Sequence, residues 1–184
     1  MGEGKAMRES SKAALGGIIA ALSVCIMLLT YISPILVYTA PVFAGLLLLV
    51  IVAEMGYYWG VGTYAAVSIL SVFIIADKEA AVFYTVLFGY YPILREYING
   101  KIKNRILLFV IKLFVFNLAL VSSVAVCNYV FHIDYSEFSG GGKILIAVFL
   151  VLMNVVLFLY DLLIAKFTVL YRTKLHKKII KMFK

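Results

Sequence analysis

Three charged side chains stand inside long apolar runs: Lys112, Asp161 and Lys166. On insertion scales a charge at the centre of a membrane helix costs about 2.5–3.5 kcal/mol, so each needs a partner, a way out to water, or a task. Lys166 lies near the end of its run and can snorkel to the interface. Lys112 and Asp161 lie deeper, at similar depth on consecutive apolar segments, which predicts an ion pair facing the interior of a helix bundle. Such a pair fixes the register of two helices or serves a proton or ion relay. Asn117 and Asn154 sit deeper still on the same two segments, and amides placed there bond from helix to helix.

Chemistry of other kinds finds little support. Gly140, Gly141, Gly142 and Lys143 are followed by Ile144, so the run lacks the G-x-x-x-x-G-K-[ST] pattern of a phosphate loop. Neither H-E-x-x-H nor G-x-S-x-G occurs, and the paired acidic motif of membrane alcohol-phosphotransferases is missing. His132 and His176 stand alone, so no metal centre is expected. Cys25 and Cys127 lie within apolar runs and read as small packing residues. The sequence therefore predicts no catalytic residue and no cofactor.

The elements that must position these residues follow from composition. Of 184 residues, 65% are hydrophobic and only 14% charged, whereas a soluble domain carries about a quarter charged residues. So few polar groups cannot coat a water-facing surface, and lipid must take the remainder. We expect a single all-α domain, a polytopic membrane bundle of about six transmembrane helices. The runs place them at 13–32, 41–55, 59–76, 80–94, 106–131 and 144–171, with a basic tail at 172–184. The first run is too long for the apolar core of a signal peptide. Ser33-Pro34 ends it, because proline disfavours helical geometry in the residue before it. Pro41 suits the first turn of the second helix. Gly56 begins an aromatic break, and Asp77, Lys78 and Glu79 form a charged turn. The stretch 95–105 reads as a water-exposed loop, and 132–142 as a polar, glycine-rich one.

A net charge of +8 would suggest nucleic acid on a soluble protein. Here the basic residues cluster at segment ends, which points to topology instead. With both termini cytoplasmic, the inner side receives Lys5, Arg8, Lys12, Arg95, Lys101, Lys103, Arg105 and the tail. The outer side receives Lys78 and Lys143 beside Asp77, Glu79, Asp134 and Glu137. This bias predicts a multi-pass protein of the cell membrane. The tail interleaves lysines with Ile179, Ile180, Met182 and Phe183, a pattern that anchors topology or lies on anionic lipid.

Two surfaces offer binding. Tyr38, Thr39, Lys78, Tyr84, Asn128 and His132 fall near the outer ends of their segments and could line a pocket opening outward for a small molecule. The first helix carries Ala13, Gly17 and Ala21 at four-residue spacing, with Gly16 and Ala20 beside them. Gly56, Gly60, Gly62 and Ala66 give the third helix a comparable face. Small residues at this spacing let another helix approach closely, either within this chain or from a partner.

The small-residue face 13–21, the proline-led second helix and the aromatic–glycine passage 56–62 together make the chain resemble the substrate-binding S components of energy-coupling factor transporters. That resemblance implies capture of a vitamin-like small molecule from outside. It implies docking, through the face of Ala13, Gly16, Gly17, Ala20 and Ala21, on a transmembrane coupling subunit driven by two ATPases. The missing nucleotide motif would then be supplied by those partners. The competing reading is a structural scaffold similar to bacterial rod-shape-determining membrane proteins, which needs partner faces but no ligand.

Overall fold

The computed structural model describes residues 8–102, 104–132, 142–171 and 173, and only the backbone of residues 142–146. The loop with Asp134 and Glu137 and the basic tail beyond Thr173 lie outside the described residues, as do Lys5 and Lys103. All regular structure among the described residues is helical.

Helix α1, Glu9–Leu28, opens with an acidic first turn closed by a Lys12–Glu9 pair at 2.6 Å, and closes in a 3-10 turn, Leu29–Tyr31. Helix α2, Leu36–Met55, starts one turn earlier than the sequence predicts. Pro41 therefore lies in its second turn, where it removes the donor that would otherwise reach the Val37 carbonyl. Gly56 separates α2 from α3, Tyr57–Ile74, at φ 84°, a conformation that favours glycine, so the predicted aromatic break contracts to one residue. Helices α6, Arg105–Tyr129, and α7, Gly142–Leu170, are long and apolar. Asn104 caps α6, its side chain accepting from the Ile106 N–H at 3.0 Å.

The segment between α3 and α6 departs from expectation. A continuous helix at 80–94 and a solvated loop at 95–105 do not form. The chain instead makes a short helix α4, Lys78–Val82, and a π-helical stretch, Phe83–Phe88. A bend at Gly89 and Tyr90 leads into α5, Tyr91–Lys101. The Gly89 N–H reaches back five residues to the Tyr84 carbonyl at 2.7 Å. Pro92, in the first turn of α5, starts a helix here, where its missing N–H costs least. In α5 Tyr91, Pro92, Ile93, Arg95 and Ile98 are buried, while Tyr97, Asn99, Gly100 and Lys101 are exposed.

Among the described residues five helices are long and apolar enough to cross a membrane: Glu9–Tyr31, Leu36–Met55, Tyr57–Ile74, Arg105–Tyr129 and Ala147–Leu170. This is the composition of a multi-pass membrane protein. Helix α2 is central, packing against α1, α3, α5, α7 and the π-helical stretch. One core joins Leu46 and Leu49 of α2 to Phe83, Leu87, Phe88, Phe116, Leu157 and Tyr160. A second joins Val24 and Met27 of α1 to Leu48, Val67, Ile75 and Tyr84. Apolar side chains such as Phe109, Phe114, Val121, Val151, Leu152 and Phe158 face outward from α6 and α7, as lipid-facing helices require.

Tyr38 and Glu54 mark opposite ends of α2, about 24 Å apart at 1.5 Å per residue. At the first end Tyr38 donates to Glu79 Oε1 at 3.2 Å, joining α2 to α4. At the second, Tyr171 donates to Glu54 Oε1 at 2.6 Å, joining α2 to the chain just beyond α7. The rings of Tyr57 and Tyr97, 5.9 Å apart, bring the start of α3 to the end of α5 at that same second end.

Candidate functional site

A charged centre forms where α5, α6 and α7 meet. Lys112 Nζ lies 2.9 Å from Asp161 Oδ1, so the structure brings together the two ions that the sequence sets at similar depth. Two further groups complete it. Arg95 Nε donates to the same oxygen at 2.8 Å, and the Tyr91 hydroxyl donates at 3.0 Å. Arg95 Nη1 also lies 3.7 Å from Glu96 Oε1, beyond hydrogen-bond distance. The side chains of Arg95 and Lys112 are 10% and 8% exposed, while that of Asp161 is 29% exposed. Two cations thus stand against one carboxylate that opens partly to the surface.

The sequence reads Arg95 as part of a solvated loop and gives Tyr91 no role. The signal that could have found them is spacing. Tyr91, Arg95 and Ile98 recur at intervals of four and three, one face of a helix.

Between α6 and α7 the two amides close a reciprocal pair. Asn117 Nδ2 donates to Asn154 Oδ1 at 3.0 Å, and Asn154 Nδ2 to Asn117 Oδ1 at 3.1 Å. Each Nδ2 also donates to a carbonyl in its own helix, Leu113 or Leu150, at 2.8 Å. Interhelical hydrogen bonds in membranes average about 0.6 kcal/mol. Asn154→Leu is therefore expected to lower unfolding free energy by about 1 kcal/mol, read by steric-trapping or denaturant titration in micelles.

Several of the six residues read as an outward pocket are engaged within the chain. Lys78 Nζ donates to the carbonyls of Val72 and Ile75, both at 2.8 Å, and so caps the C-terminal end of α3. Tyr38 is bonded to Glu79, with its ring 5.5 Å from that of Phe83. Thr39 donates to the Ile35 carbonyl in its own helix. Asn128 and His132 are exposed at the far end of α6. Tyr84 alone is fully enclosed, and among the described residues its hydroxyl finds no hydrogen-bond partner; Thr30 Oγ1 shares that condition. Tyr84 begins the turn closed by Gly89, and its ring lies 6.3 Å from that of Tyr64. Among the described residues no group of three or more His, Cys, Asp and Glu side chains is placed to hold a metal ion.

The small-residue face of α1 does meet a counterpart. Ala13, Gly16, Gly17 and Ala20 lie opposite Tyr58, Trp59, Gly62, Thr63 and Ala66 of α3, around a groove of about 380 Å³. Ala21 falls outside it, on an exposed face of α1. A Cβ at Gly17 or Gly62 would meet no atom within 4 Å, whereas at Gly16 it would lie 3.4 Å from Thr63 Oγ1. Gly16 therefore serves packing within the chain, and Gly17 and Gly62 leave space.

Set against protein-family models, curated proteins and solved structures, the chain has no match.

Proposed function

We propose that this chain is the membrane-embedded ligand-binding subunit of an importer of the energy-coupling factor type. It would dock a separate transmembrane coupling subunit, powered by two ATPases, through the α1–α3 groove. The observation that carries this reading is that groove: two apolar helices, both long enough to span a bilayer, leave a cleft floored by glycine and alanine. Such a surface suits a transmembrane helix with small residues of its own. In this reading the bent segment from Lys78 to Lys101 serves as a fourth crossing, which makes six and puts both termini on one side. Lys12, Lys101, Arg105 and Lys166 would gather on the cytoplasmic side, with Lys78 opposite. The enclosed Tyr84 hydroxyl, without a hydrogen-bond partner among the described residues, supports a ligand site beside the π-helical stretch, since such stretches recur at functional sites.

The test is affinity purification of the tagged chain from its native membrane, with mass spectrometry of the co-eluting proteins, for the natural sequence and Gly17→Leu. A Cβ at position 17 meets nothing within 4 Å, and leucine raises helix propensity by up to about 1 kcal/mol. The variant is expected to keep its thermal stability and to recover at least about tenfold less coupling subunit and ATPases, a loss of about 1.4 kcal/mol in docking. Equal recovery would remove the groove from the mechanism. Recovery of cell-wall or division proteins instead would favour the scaffold.

A further inference from the structure

The charged centre holds more hydrogen-bond donors than acceptors. A guanidinium offers five N–H donors and an ammonium three. Among the described residues, Arg95 uses only Nε in a hydrogen bond, and Lys112 makes a single one. With Tyr91 they converge on one oxygen, Asp161 Oδ1. Among the described residues Arg95 Nη1 and Nη2 make no hydrogen bond, and although the side chain is nine-tenths buried these two nitrogens are not enclosed. Within hydrogen-bond distance the charge balance is two cations to one carboxylate. Glu96, the other nearby carboxylate, stays at 3.7 Å and is one-third exposed. Hydrocarbon supplies no acceptor to fill the deficit.

Position defines what could fill it. Arg95 and Lys112 lie about two helical turns from the ends of α5 and α6 that carry Lys101 and Arg105. The partly exposed Asp161 shows that the centre communicates with the surface. A group seated here must be anionic, rich in acceptor oxygens, and able to enter from a membrane interface. A phosphate meets all three conditions, and the guanidinium fork matches two of its oxygens.

We propose that Arg95 and Lys112 seat the phosphate of an anionic phosphate ester where α5, α6 and α7 meet, beside the Asp161 carboxylate. The ester is a lipid headgroup or a soluble phosphate compound, and the site is independent of the importer reading. Glu96 tempers its affinity, and Asp161 orients both cations.

The experiment uses the full chain, delipidated in detergent. Native mass spectrometry compares retention of phosphatidylglycerol and phosphatidylcholine. Thermal denaturation compares inorganic phosphate with chloride at matched ionic strength. Arg95→Lys keeps the charge beside Asp161 but loses the fork, and is expected to weaken phosphatidylglycerol retention on the order of tenfold, the worth of one charge-assisted hydrogen bond. Glu96→Gln removes an opposing charge that forms no hydrogen bond, and is expected to strengthen retention several-fold. Preference for phosphatidylglycerol with these opposite shifts establishes a lipid phosphate. Stabilisation by inorganic phosphate with the same variant order, without lipid preference, establishes a soluble phosphate. Equal retention of both lipids with no phosphate effect, or both variants moving binding in one direction, overturns the proposal and leaves a closed ion network.

Discussion

Asp161→Ala is expected to destabilise the protein by about 3–5 kcal/mol, the cost of stripping a buried ionic group of its counter-charge. The carboxylate oxygen that it removes accepts from Tyr91, Arg95 and Lys112 at once. Alanine would leave two cations, each with a side chain about nine-tenths buried, facing each other without an anion between them. Their mutual repulsion adds to the desolvation that the carboxylate had offset. Because among the described residues α5, α6 and α7 meet through charge only here, the damage should loosen that junction and spare the packing of α1 on α2. Fluorescence-detected gel filtration after a temperature series measures the loss. A companion variant separates charge from structure. Arg95→Met, Lys112→Met and Asp161→Ala combined should be more stable than Asp161→Ala alone, since no uncompensated charge remains. If the single variant matched the natural protein in stability, the centre would be hydrated, and its ions would contribute as surface pairs do.

The partnership of Lys112 and Asp161 was legible because depth in a helix is arithmetic. A rise of 1.5 Å per residue converts distance from a segment end into depth, and antiparallel neighbours share it. Asn117 and Asn154 follow from the same count. Arg95 was not legible in this way. Its neighbours Glu96, Asn99, Lys101 and Asn104 make the stretch polar enough to read as solvated loop, and average polarity conceals a helix that buries one face. Lys78 misled for a related reason. A lysine after a helix reads as a loop charge, and only the folded chain reveals that its ammonium turns back to the open carbonyls of Val72 and Ile75. The small residues of α1 were legible as a face, but which of them pack internally was not. Thr63 lies against Gly16 and nothing lies against Gly17, a difference made on α3 rather than on α1. The bend at Gly89 was hardest to foresee. Pro92 can end one helix or begin another, and packing decides which.

That bend is the origin of the second large effect, expected for Gly45→Ala. In a continuous helix the Phe88 carbonyl would accept from the residue four positions on, but that residue is Pro92, which has no N–H. The Tyr160 hydroxyl takes over the missing donation, reaching the Phe88 oxygen at 3.1 Å from α7. This contact crosses the face of α2 at Gly45. A Cβ there would lie 2.6 Å from the Phe88 oxygen and 2.6 Å from the Tyr160 hydroxyl. One of those atoms is backbone, held by the turn that Gly89 closes, so it cannot swing away as a side-chain tip would. The added methyl must push α2 from the bend or break the Tyr160 bond. Overpacking costs about 1–3 kcal/mol, and an enclosed carbonyl left without a donor costs about 1–3 kcal/mol more. We expect a loss of about 3 kcal/mol for Gly45→Ala in denaturant unfolding. Tyr160→Phe, which removes only the donor, should lose about 1–2 kcal/mol. The sign is informative, because glycine to alanine inside a helix ordinarily stabilises by about 1 kcal/mol. Gly17→Ala, on the open face of α1, should show that ordinary gain. If Gly45→Ala gained stability as well, α2 would not approach the bend as closely as the Tyr160–Phe88 contact requires.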